Sequence, residues 1–351
     1  MELFGLDIGN RQVKMYTENK TKVFPAYYIE SSKLGDRKVM DLRKGKRRTT
    51  SDYRSSKDEL FTYVWGKELD VDIAKPVDSI VFENRYESRE FKLLVDFALG
   101  ELARDFMEAR ESMLEVVVVT GVPTTDYMQD DVVEQVVKAF KGDHSVNIDG
   151  IDLNIRVRKV TVLPQPMGTV IDSMVSDEGE LIEGNPIENA VVGVADIGGG
   201  TLLVDLLRKM NMDTTTRLQS PEGAYSLYEA IVRELGSDGV KISVYEVERL
   251  LKESKGNKYY WSPDGKETLN LSDVIMRERT KFTRETAVTI RSVFKEFDRL
   301  AAVLVTGGAA NLLVKAEFVQ VVPKAVFVEN SELANVRGFF KYGLWQGAVK
   351  K

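Results

Sequence analysis

The sequence predicts a layered α/β protein whose two halves share one ligand-binding pattern. An apolar run ends in Asp-Ile-Gly twice, at Asp7–Gly9 and at Asp196–Gly198, and a second β-rich run follows each copy. The copies lie 189 residues apart, which is about the length of one domain. Strand-like and helix-like patterns alternate elsewhere, as they do in a sheet covered by helices. We therefore expect two similar halves that face one nucleotide.

Composition narrows the chemistry that the protein can use. The 351 residues are 43% hydrophobic and 30% charged, which is ordinary for a globular protein long enough for two domains. The absence of cysteine excludes disulfides, thiol nucleophiles and cysteine zinc sites. The single histidine, His144, lies in a polar stretch, so we expect a solvated loop residue rather than a catalytic base.

Charge and hydropathy predict a cytoplasmic protein. The formal net charge of −6 gives no overall attraction to nucleic acid. No apolar run reaches the roughly 18 residues that a membrane span needs, and the start Met1–Phe4 has no basic leader. We therefore expect no membrane span and no targeting segment.

Each Asp-Ile-Gly copy is typical of a hairpin with an aspartate at the end of its first strand. Glycine lets the backbone approach a phosphate and turn its N–H groups toward it. Paired aspartates suit a hydrated Mg²⁺. A single copy is more typical of an ordinary turn, but two copies at domain spacing favour a nucleotide site.

The remaining elements are assigned from their periodicity. In the first half we predict strands at Leu3–Ile8, Val13–Thr17 and Thr21–Ile29, a less regular segment at 31–90, a helix at Ser88–Ala109, a buried strand at Leu114–Thr120, a helix at Asp131–Phe140, a strand at Ile155–Leu163 and a helix at Gly168–Val175. After an acidic, exposed loop at Ser176–Asn189 we predict helices at Gly223–Leu235, Ser243–Glu253 and Thr283–Leu300, a strand at Ala302–Val305, a helix opened by Thr306–Asn311, a strand around Val326 and Val328, and a closing helix at Asn335–Trp345.

Five short motifs occur in an order that is informative as a set. They are Asp7-Ile8-Gly9, Pro164-Gln165-Pro166, Asp196-Ile197-Gly198-Gly199-Gly200-Thr201, Thr306-Gly307-Gly308-Ala309 and Asn335-Val336-Arg337-Gly338. The set resembles the phosphate 1, connect 1, phosphate 2, adenosine and connect 2 signatures of the actin, sugar-kinase and heat-shock ATPase superfamily. The resemblance implies an actin-like (ribonuclease H-like) duplicated fold with two domains around a nucleotide cleft.

The resemblance also implies roles for individual residues. Asp7 and Asp196 would hold Mg²⁺, mostly through water. The positions that would contact the nucleotide are Gly9, Asn10, Arg11, Lys14, Gly198, Gly199, Gly200, Thr201, Glu222, Gly223, Gly307, Gly308 and Ala309. Of these, Lys14 would neutralise phosphate charge, Gly307 and Gly308 would lie against the base, and Glu222 and Gly223 would approach the ribose.

Gln165 is the position at which we expect the attacking water to be oriented. Glutamine is a poor base, so its contribution would be hydrogen bonding to water while metal and amides stabilise the phosphoryl group. The alternative is a polar residue at a strand end between two prolines. Two further carboxylates, Asp172 and Asp205, are near the motifs in sequence; Asp172 is either a second candidate or solvated.

The implied domains exchange segments. Domain I would hold residues 1–167 and 331–351, with an inserted subdomain at 31–90. Domain II would hold residues 168–330, with an inserted subdomain at 225–300.

Within the superfamily, the chain is most similar to the ParM-like bacterial actins that segregate plasmids. That similarity implies an ATP- or GTP-dependent, Mg²⁺-dependent nucleoside triphosphatase that assembles head to tail into filaments and reaches plasmid DNA through an adaptor protein. Two alternatives remain open: a non-polymerising ATPase of the pilus-assembly type, and a small-molecule kinase.

A basic run, Arg43–Arg48, stands out in an otherwise acidic protein. It has five positive residues in six positions. It is either a solvated loop or a surface that meets an acidic loop of the next subunit, an adaptor or DNA.

Overall fold

The computed structural model describes residues 1–34, 49–67, 69, 76–78, 84–254, 256–263 and 265–348. The chain forms two compact units. The first consists of Met1–Glu183 with Asn335–Lys351, and the second of Gly184–Ala334. Within these described residues, no helix is long and apolar enough to cross a membrane.

The first unit is built on a ten-stranded sheet with the order β3-β2-β1-β8-β10-β9-β5-β6-β4-β7. Its strands are β1 (Glu2–Ile8), β2 (Gln12–Thr17), β3 (Lys20–Pro25), β4 (Tyr27–Glu30), β5 (Thr50–Ser55), β6 (Asp58–Gly66), β7 (Val77–Asp78), β8 (Leu114–Val122), β9 (Gly142–Ile148) and β10 (Ile151–Pro164). Its helices up to residue 183 are α1 (Arg89–Ala103), α2 (Met107–Glu111), α3 (Thr124–Tyr127), α4 (Asp130–Phe140) and α5 (Gln165–Met174). Strand β1 is antiparallel to β2 and parallel to β8, and β8 is parallel to β10.

The predicted opening meander is confirmed, but its third strand is shorter than expected. β3 ends at Pro25, which has no N–H to donate, and the chain turns at Ala26, whose amide donates to the Arg11 carbonyl at 2.9 Å. The residues beyond the turn form β4, which lies between β6 and β7 near the opposite edge of the same sheet.

The segment predicted to be less regular extends the same sheet where it is described. β5 and β6 pair with each other, and β5 also pairs with β9. Tyr53, Tyr63 and Trp65 of these strands are buried and pack their rings against Phe97 of α1. Their aromatic residues therefore belong to the core of the first unit.

The second unit has a five-stranded sheet with the order β13-β12-β11-β16-β17 and a separate two-stranded hairpin. Its strands are β11 (Val191–Ile197), β12 (Leu202–Arg208), β13 (Asn211–Ser220), β14 (Tyr260–Trp261), β15 (Leu269–Asn270), β16 (Ala302–Thr306) and β17 (Ala325–Phe327). Its helices are α6 (Ala224–Ser237), α7 (Val244–Glu253), α8 (Ser272–Val293) and α9 (Lys315–Val321), and α10 (Ala334–Trp345) returns the chain to the first unit.

The two sheets contain the same five-strand arrangement. In each, an antiparallel meander of three strands lies beside two parallel strands, β3-β2-β1-β8-β10 in the first unit and β13-β12-β11-β16-β17 in the second. The repeated motif therefore marks a repeated sheet topology.

Two predicted helices differ from the structure by more than three residues at an end. The helix expected at Ser88–Ala109 is divided into α1 and α2. The helix expected at Thr283–Leu300 is instead α8, which begins at Ser272 and ends before Phe294, where the backbone becomes extended. The early turns were missed because a buried arginine interrupts the apolar face: Arg279 donates to the Leu312 carbonyl at 2.8 Å.

His144 is a buried strand residue, so the prediction of a solvated loop was wrong. It lies in β9 with 2% exposure. Its Nδ1 is 2.7 Å from Oδ1 of Asp96, and its Nε2 is 2.6 Å from the Phe140 carbonyl. The polar neighbours in sequence misled because alternate residues of a strand point to opposite faces.

Helices α5 and α10 pack in direct backbone contact within the first unit. A Cβ on Gly338 would lie 1.8 Å from the Gly168 carbonyl oxygen, so only glycine fits at this crossing. Thr169 Oγ1 also donates to Asn335 Oδ1 at 2.7 Å. The first unit accordingly includes all of α5, whereas the sequence places the boundaries after residues 167 and 330.

Candidate functional site

The first glycine loop connects β1 to β2. Ile8 pairs with Val13, so Gly9 to Gln12 form a four-residue turn. The turn is closed by a hydrogen bond from the Gly9 amide to the Gln12 carbonyl at 2.9 Å. Asp7 therefore lies at the end of β1, one residue before the pair that closes the turn.

The second loop has the same geometry. Ile197 pairs with Leu202, and the Gly198 amide donates to the Thr201 carbonyl at 2.8 Å. Gly199 and Gly200 occupy the middle of this turn. Two segments 189 residues apart in sequence thus form the same closed turn after the same aspartate.

Asp7 is the centre of a polar cluster in the first unit. Its side chain is almost fully buried, and strand register places Lys14 directly opposite it. Lys14 Nζ lies 3.3 Å from Asp7 Oδ2, and Gln165 Nε2 donates to Asp7 Oδ1 at 3.1 Å. Gln165 reaches this position because it is the first residue of α5, immediately after β10. The structure thus brings three predicted site residues together.

Arg85 is a site residue that sequence reasoning missed. Its guanidinium donates to the side chain of Asn10 at 2.9 Å and to the carbonyls of Ile8 and Gly9 at 2.9 and 2.8 Å. It lies in a single 3₁₀ turn before α1, inside the segment that looked irregular. No motif spacing links it to a loop that is 75 residues away in the chain.

Asp196 lies beside the Thr306–Ala309 motif in the second unit. It is 7% exposed and pairs with Thr306 across the parallel strands β11 and β16. Gly307 has φ +90°, and a Cβ there would lie 2.4 Å from Asp196 Oδ1 and 2.4 Å from the Ile197 carbonyl oxygen. Gly308 and Ala309 follow in a 3₁₀ turn. Because Gly307 has no side chain, the backbone of this motif can lie close to the aspartate.

The Gly307 turn is braced by Ser331. The Ser331 hydroxyl donates to the Gly307 carbonyl at 3.0 Å, and the Thr306 hydroxyl donates to the Ser331 carbonyl at 3.2 Å. Ser331 is buried.

The start of α6 holds the second loop. The Ala224 and Tyr225 amides donate to the carbonyls of Gly198 and Gly199 at 3.0 and 2.9 Å. Gly223 is the buried residue at the helix start, whereas Glu222 before it is exposed. The structure therefore brings Gly223 to the loop and leaves Glu222 in solvent.

The two further carboxylates have different surroundings. Asp172 is neither solvated nor directed to the loop, because it forms ion pairs with Arg337 and with Lys341 of α10; Arg337 Nε is 3.0 Å from Asp172 Oδ1. Asp205 is buried in β12 opposite Val194. Since Val194 is two residues before Asp196 in β11, Asp205 and Asp196 lie on the same face of the sheet.

The basic run Arg43–Arg48 lies outside the described residues.

Each of the two aspartates, taken within its own unit, is the kind of ligand that Mg²⁺ binds in proteins. Magnesium in proteins is usually held by one or two carboxylates and keeps several waters. Asp7 and Asp196 each supply one buried carboxylate at the end of a strand. No cluster of three or more ligating side chains occurs in the part of the chain that the structure describes.

Two family models match the sequence, one for each half of the chain. The model described as the N-terminal domain of actin-like proteins matches residues 5–168. The model described as plasmid segregation protein ParM, C-terminal, matches residues 187–341. Comparison with curated protein sequences finds no match.

Solved structures share the fold over nearly the whole chain. The apo psk41 ParM protein is 22% identical, with a TM-score of 0.74 over 100% of this chain and 99% of that one. The ADP complex of Ta0583, an archaeal actin homologue, is 15% identical, with a TM-score of 0.74 over 98% and 99%. A 15-stranded ParM filament from Clostridium botulinum is 17% identical, with a TM-score of 0.73 over 97% and 98%. The predicted α/β actin-like fold is thus confirmed.

Proposed function

Because the chain belongs to the actin-like proteins, we propose that it is a Mg²⁺-dependent nucleoside triphosphatase that assembles into filaments. The observation that carries the proposal is the matched pair of turns, each closed by the same hydrogen bond after a buried aspartate. Backbone amides in such turns are suited to bind phosphate. The two turns bind the phosphates of the nucleotide.

The residues around Asp7 suit positioned hydrolysis. Asp7 and Asp196 would hold the hydrated Mg²⁺, which when bound neutralises charge on the phosphoryl group. Gln165 donates its amide N–H to Asp7, which leaves the Gln165 amide oxygen to accept a hydrogen bond from a water. Gln165 thereby orients a nucleophile without acting as a base.

The nucleoside is held by the second unit in this proposal. Gly307, Gly308 and Ala309 form a tight turn beside Asp196, and Gly223 lies against the second glycine loop. The ADP complex of the archaeal relative supports ATP as the nucleotide, with GTP as the alternative.

Self-assembly is proposed from the relatives. An Alp12 filament, 16% identical with a TM-score of 0.66, and the Clostridium botulinum ParM filament share the fold. Filaments grow by head-to-tail contacts that do not close into a ring.

The match to the ParM C-terminal model supports plasmid segregation in the cytoplasm. A net charge of −6 gives the chain no overall attraction to DNA, which favours contact with DNA through an adaptor protein.

Sedimentation with simultaneous phosphate release tests the proposal. The protein should pellet with Mg-ATP or Mg-GTP, stay in the supernatant without nucleotide, and release phosphate as it assembles. Hydrolysis without any pellet would favour the non-polymerising ATPase, and phosphate transfer to an added sugar would favour the kinase. The absence of both binding and hydrolysis would contradict the nucleotide site itself.

A further inference from the structure

Arg85 links the first glycine loop to the start of α1. Three of its hydrogen bonds go to consecutive residues at the end of β1 and the start of the loop: the carbonyls of Ile8 and Gly9 and the side chain of Asn10. These bonds involve both terminal nitrogens of the guanidinium. A lysine has a single terminal nitrogen and cannot reproduce this planar, forked pattern.

The bonds fix the orientation of two successive peptide groups. The carbonyl and the N–H of a trans peptide point in opposite directions, and the structure contains no cis peptide among the residues it describes. The Gly9 carbonyl points to Arg85, so the Asn10 N–H points to the opposite side of the loop. The Gly9 N–H, whose peptide partner is the Ile8 carbonyl, is already used to close the turn. Arg85 thus determines which side of the loop presents the Asn10 amide.

Aromatic rings hold the guanidinium in place. It lies 5.3 Å from the ring centre of Phe91 and 5.8 Å from that of Tyr86. Tyr86 is buried and donates its hydroxyl to Asp126. A cation held against aromatic rings loses little further freedom when it binds the loop.

We infer that Arg85 is a positioning residue that orients the first glycine loop so that the Asn10 amide faces the phosphate, an inference that rests on the proposed function. Its positive charge also lies directly behind the loop, which favours an anion in front of it. Arg85 contacts the loop and acts on the phosphate through it.

The test compares Arg85→Ala with Arg89→Ala. Arg89 is a matched arginine four residues away that pairs with Asp58 and Glu90 and does not touch the loop. In the protein without nucleotide, hydrogen–deuterium exchange of the peptide covering residues 5–13 should be several-fold faster in Arg85→Ala and unchanged in Arg89→Ala. The affinity for Mg-ADP should fall about tenfold in Arg85→Ala, the scale of a lost hydrogen bond to a charged group, while the affinity for adenosine stays the same.

Several outcomes would overturn the inference. Unchanged exchange in Arg85→Ala would show that the loop does not depend on Arg85. An equal loss of affinity for adenosine and Mg-ADP would indicate a general structural role, and full recovery of Mg-ADP affinity in Arg85→Lys would show that charge alone is needed. If the wild-type protein binds no nucleotide, the proposed function fails, and the exchange measurement still decides whether Arg85 orients the loop.

Discussion

Lys14 shows how the pairing of two strands can place a positive charge beside a buried carboxylate. Strand pairing places it opposite Asp7, and its ammonium group lies 3.3 Å from the carboxylate. The corresponding position opposite Asp196 is Leu203. The two loops therefore have the same closing hydrogen bond but differ in the residue that faces the aspartate on the neighbouring strand.

Substitution of either aspartate, Asp7 or Asp196, should weaken the binding of Mg-nucleotide while the protein stays folded. Asp7→Asn and Asp196→Asn keep the side-chain shape but remove the charge, so each should abolish the gain in nucleotide affinity that Mg²⁺ gives relative to EDTA. Titration calorimetry with and without Mg²⁺ measures this gain, and circular dichroism checks the fold. The control is Asp143→Asn, because Asp143 pairs with Arg156 on the surface. Wild-type phosphate release by both variants would remove the metal assignment.

Individual residues were the hardest feature to derive from sequence. The motifs gave Asp7, Gln165 and Gly307 as candidates, because glycine turns and their aspartates lie within a few positions of one another. Arg85 and the ion pair of Asp172 with Arg337 depend on partners 75 and 165 residues away. Such contacts are set by the packing of whole elements, and no local pattern encodes them.

At the scale of elements, the Gly307 turn combines two constraints. Its φ of +90° disfavours any side chain, and its close approach to Asp196 leaves no room for one. Gly307→Ala should therefore destabilise the protein by about 2 kcal/mol or more and weaken nucleotide binding. Urea unfolding and calorimetry measure the two effects.

Gly239 provides the matched control for Gly307. It also has a positive φ, +80°, but nothing lies within 4 Å of the position that a Cβ would take there. Gly239→Ala should cost only the backbone strain, about 1 kcal/mol, and leave nucleotide binding unchanged. Equal effects of the two substitutions would show that the approach to Asp196 has no energetic consequence.

Strand β9 and helix α1 are joined by a buried charge cluster. Asp96 accepts hydrogen bonds from Ser55 and Lys57 and lies 2.7 Å from His144. Burial by itself would raise the pKa of Asp96, but the hydrogen bond to His144 and the charge of Lys57 outweigh it and hold the pKa below its usual value. The cluster therefore stabilises the fold only while Asp96 is ionised.

The pH dependence of stability should reveal this cluster. Because the pKa of Asp96 is lower in the folded state, its contribution is complete above about pH 4 and is lost as the pH falls through the folded pKa. Asp96→Asn should lower the free energy of unfolding by about 3 kcal/mol at pH 7 and by less at pH 3, which lies below the pKa of an aspartate in the unfolded chain. Urea unfolding at both values measures this, with the exposed Asp238→Asn as the control. A loss of equal size at both values would contradict the prediction.

Most elements were predictable, and the exceptions have physical causes. Alternation and helical spacing located the meander, the buried strand β8 and the closing helix. The first turns of α8 were missed because Arg279 is buried by hydrogen bonds instead of apolar contacts. His144 was misplaced because its burial depends on Asp96, a partner 48 residues away.

At the scale of the whole molecule, the duplicated motif allowed the fold to be predicted from the sequence. The repeated aspartate turn predicted two similar halves, and both sheets contain the same five-strand order. The residues that differ between the halves, such as Lys14 and Leu203, give each loop its own chemistry.

Gln165 should control the lifetime of the assembled protein. Gln165→Ala should bind nucleotide almost as the wild type does, release phosphate roughly 10²-fold more slowly, and remain assembled longer after nucleotide is exhausted. Phosphate release and the decay of light scattering measure these effects. Gln129→Ala is the control, since that side chain donates only to the Thr125 carbonyl on the surface. Unchanged turnover would assign water orientation to another residue; Asp172, the second candidate from the sequence, is paired with Arg337.

The crossing of Gly168 with Gly338 has a consequence for the order in which the protein is made. Helix α5, which carries Gln165, leaves the ribosome long before its partner α10, and the entire second unit is synthesised between them. Gly184–Ala334 can therefore complete its core while the first unit still lacks its last helix. The unit that is begun first is completed after the second, and Gln165 gains the support of α10 only once Gly184–Ala334 has been synthesised.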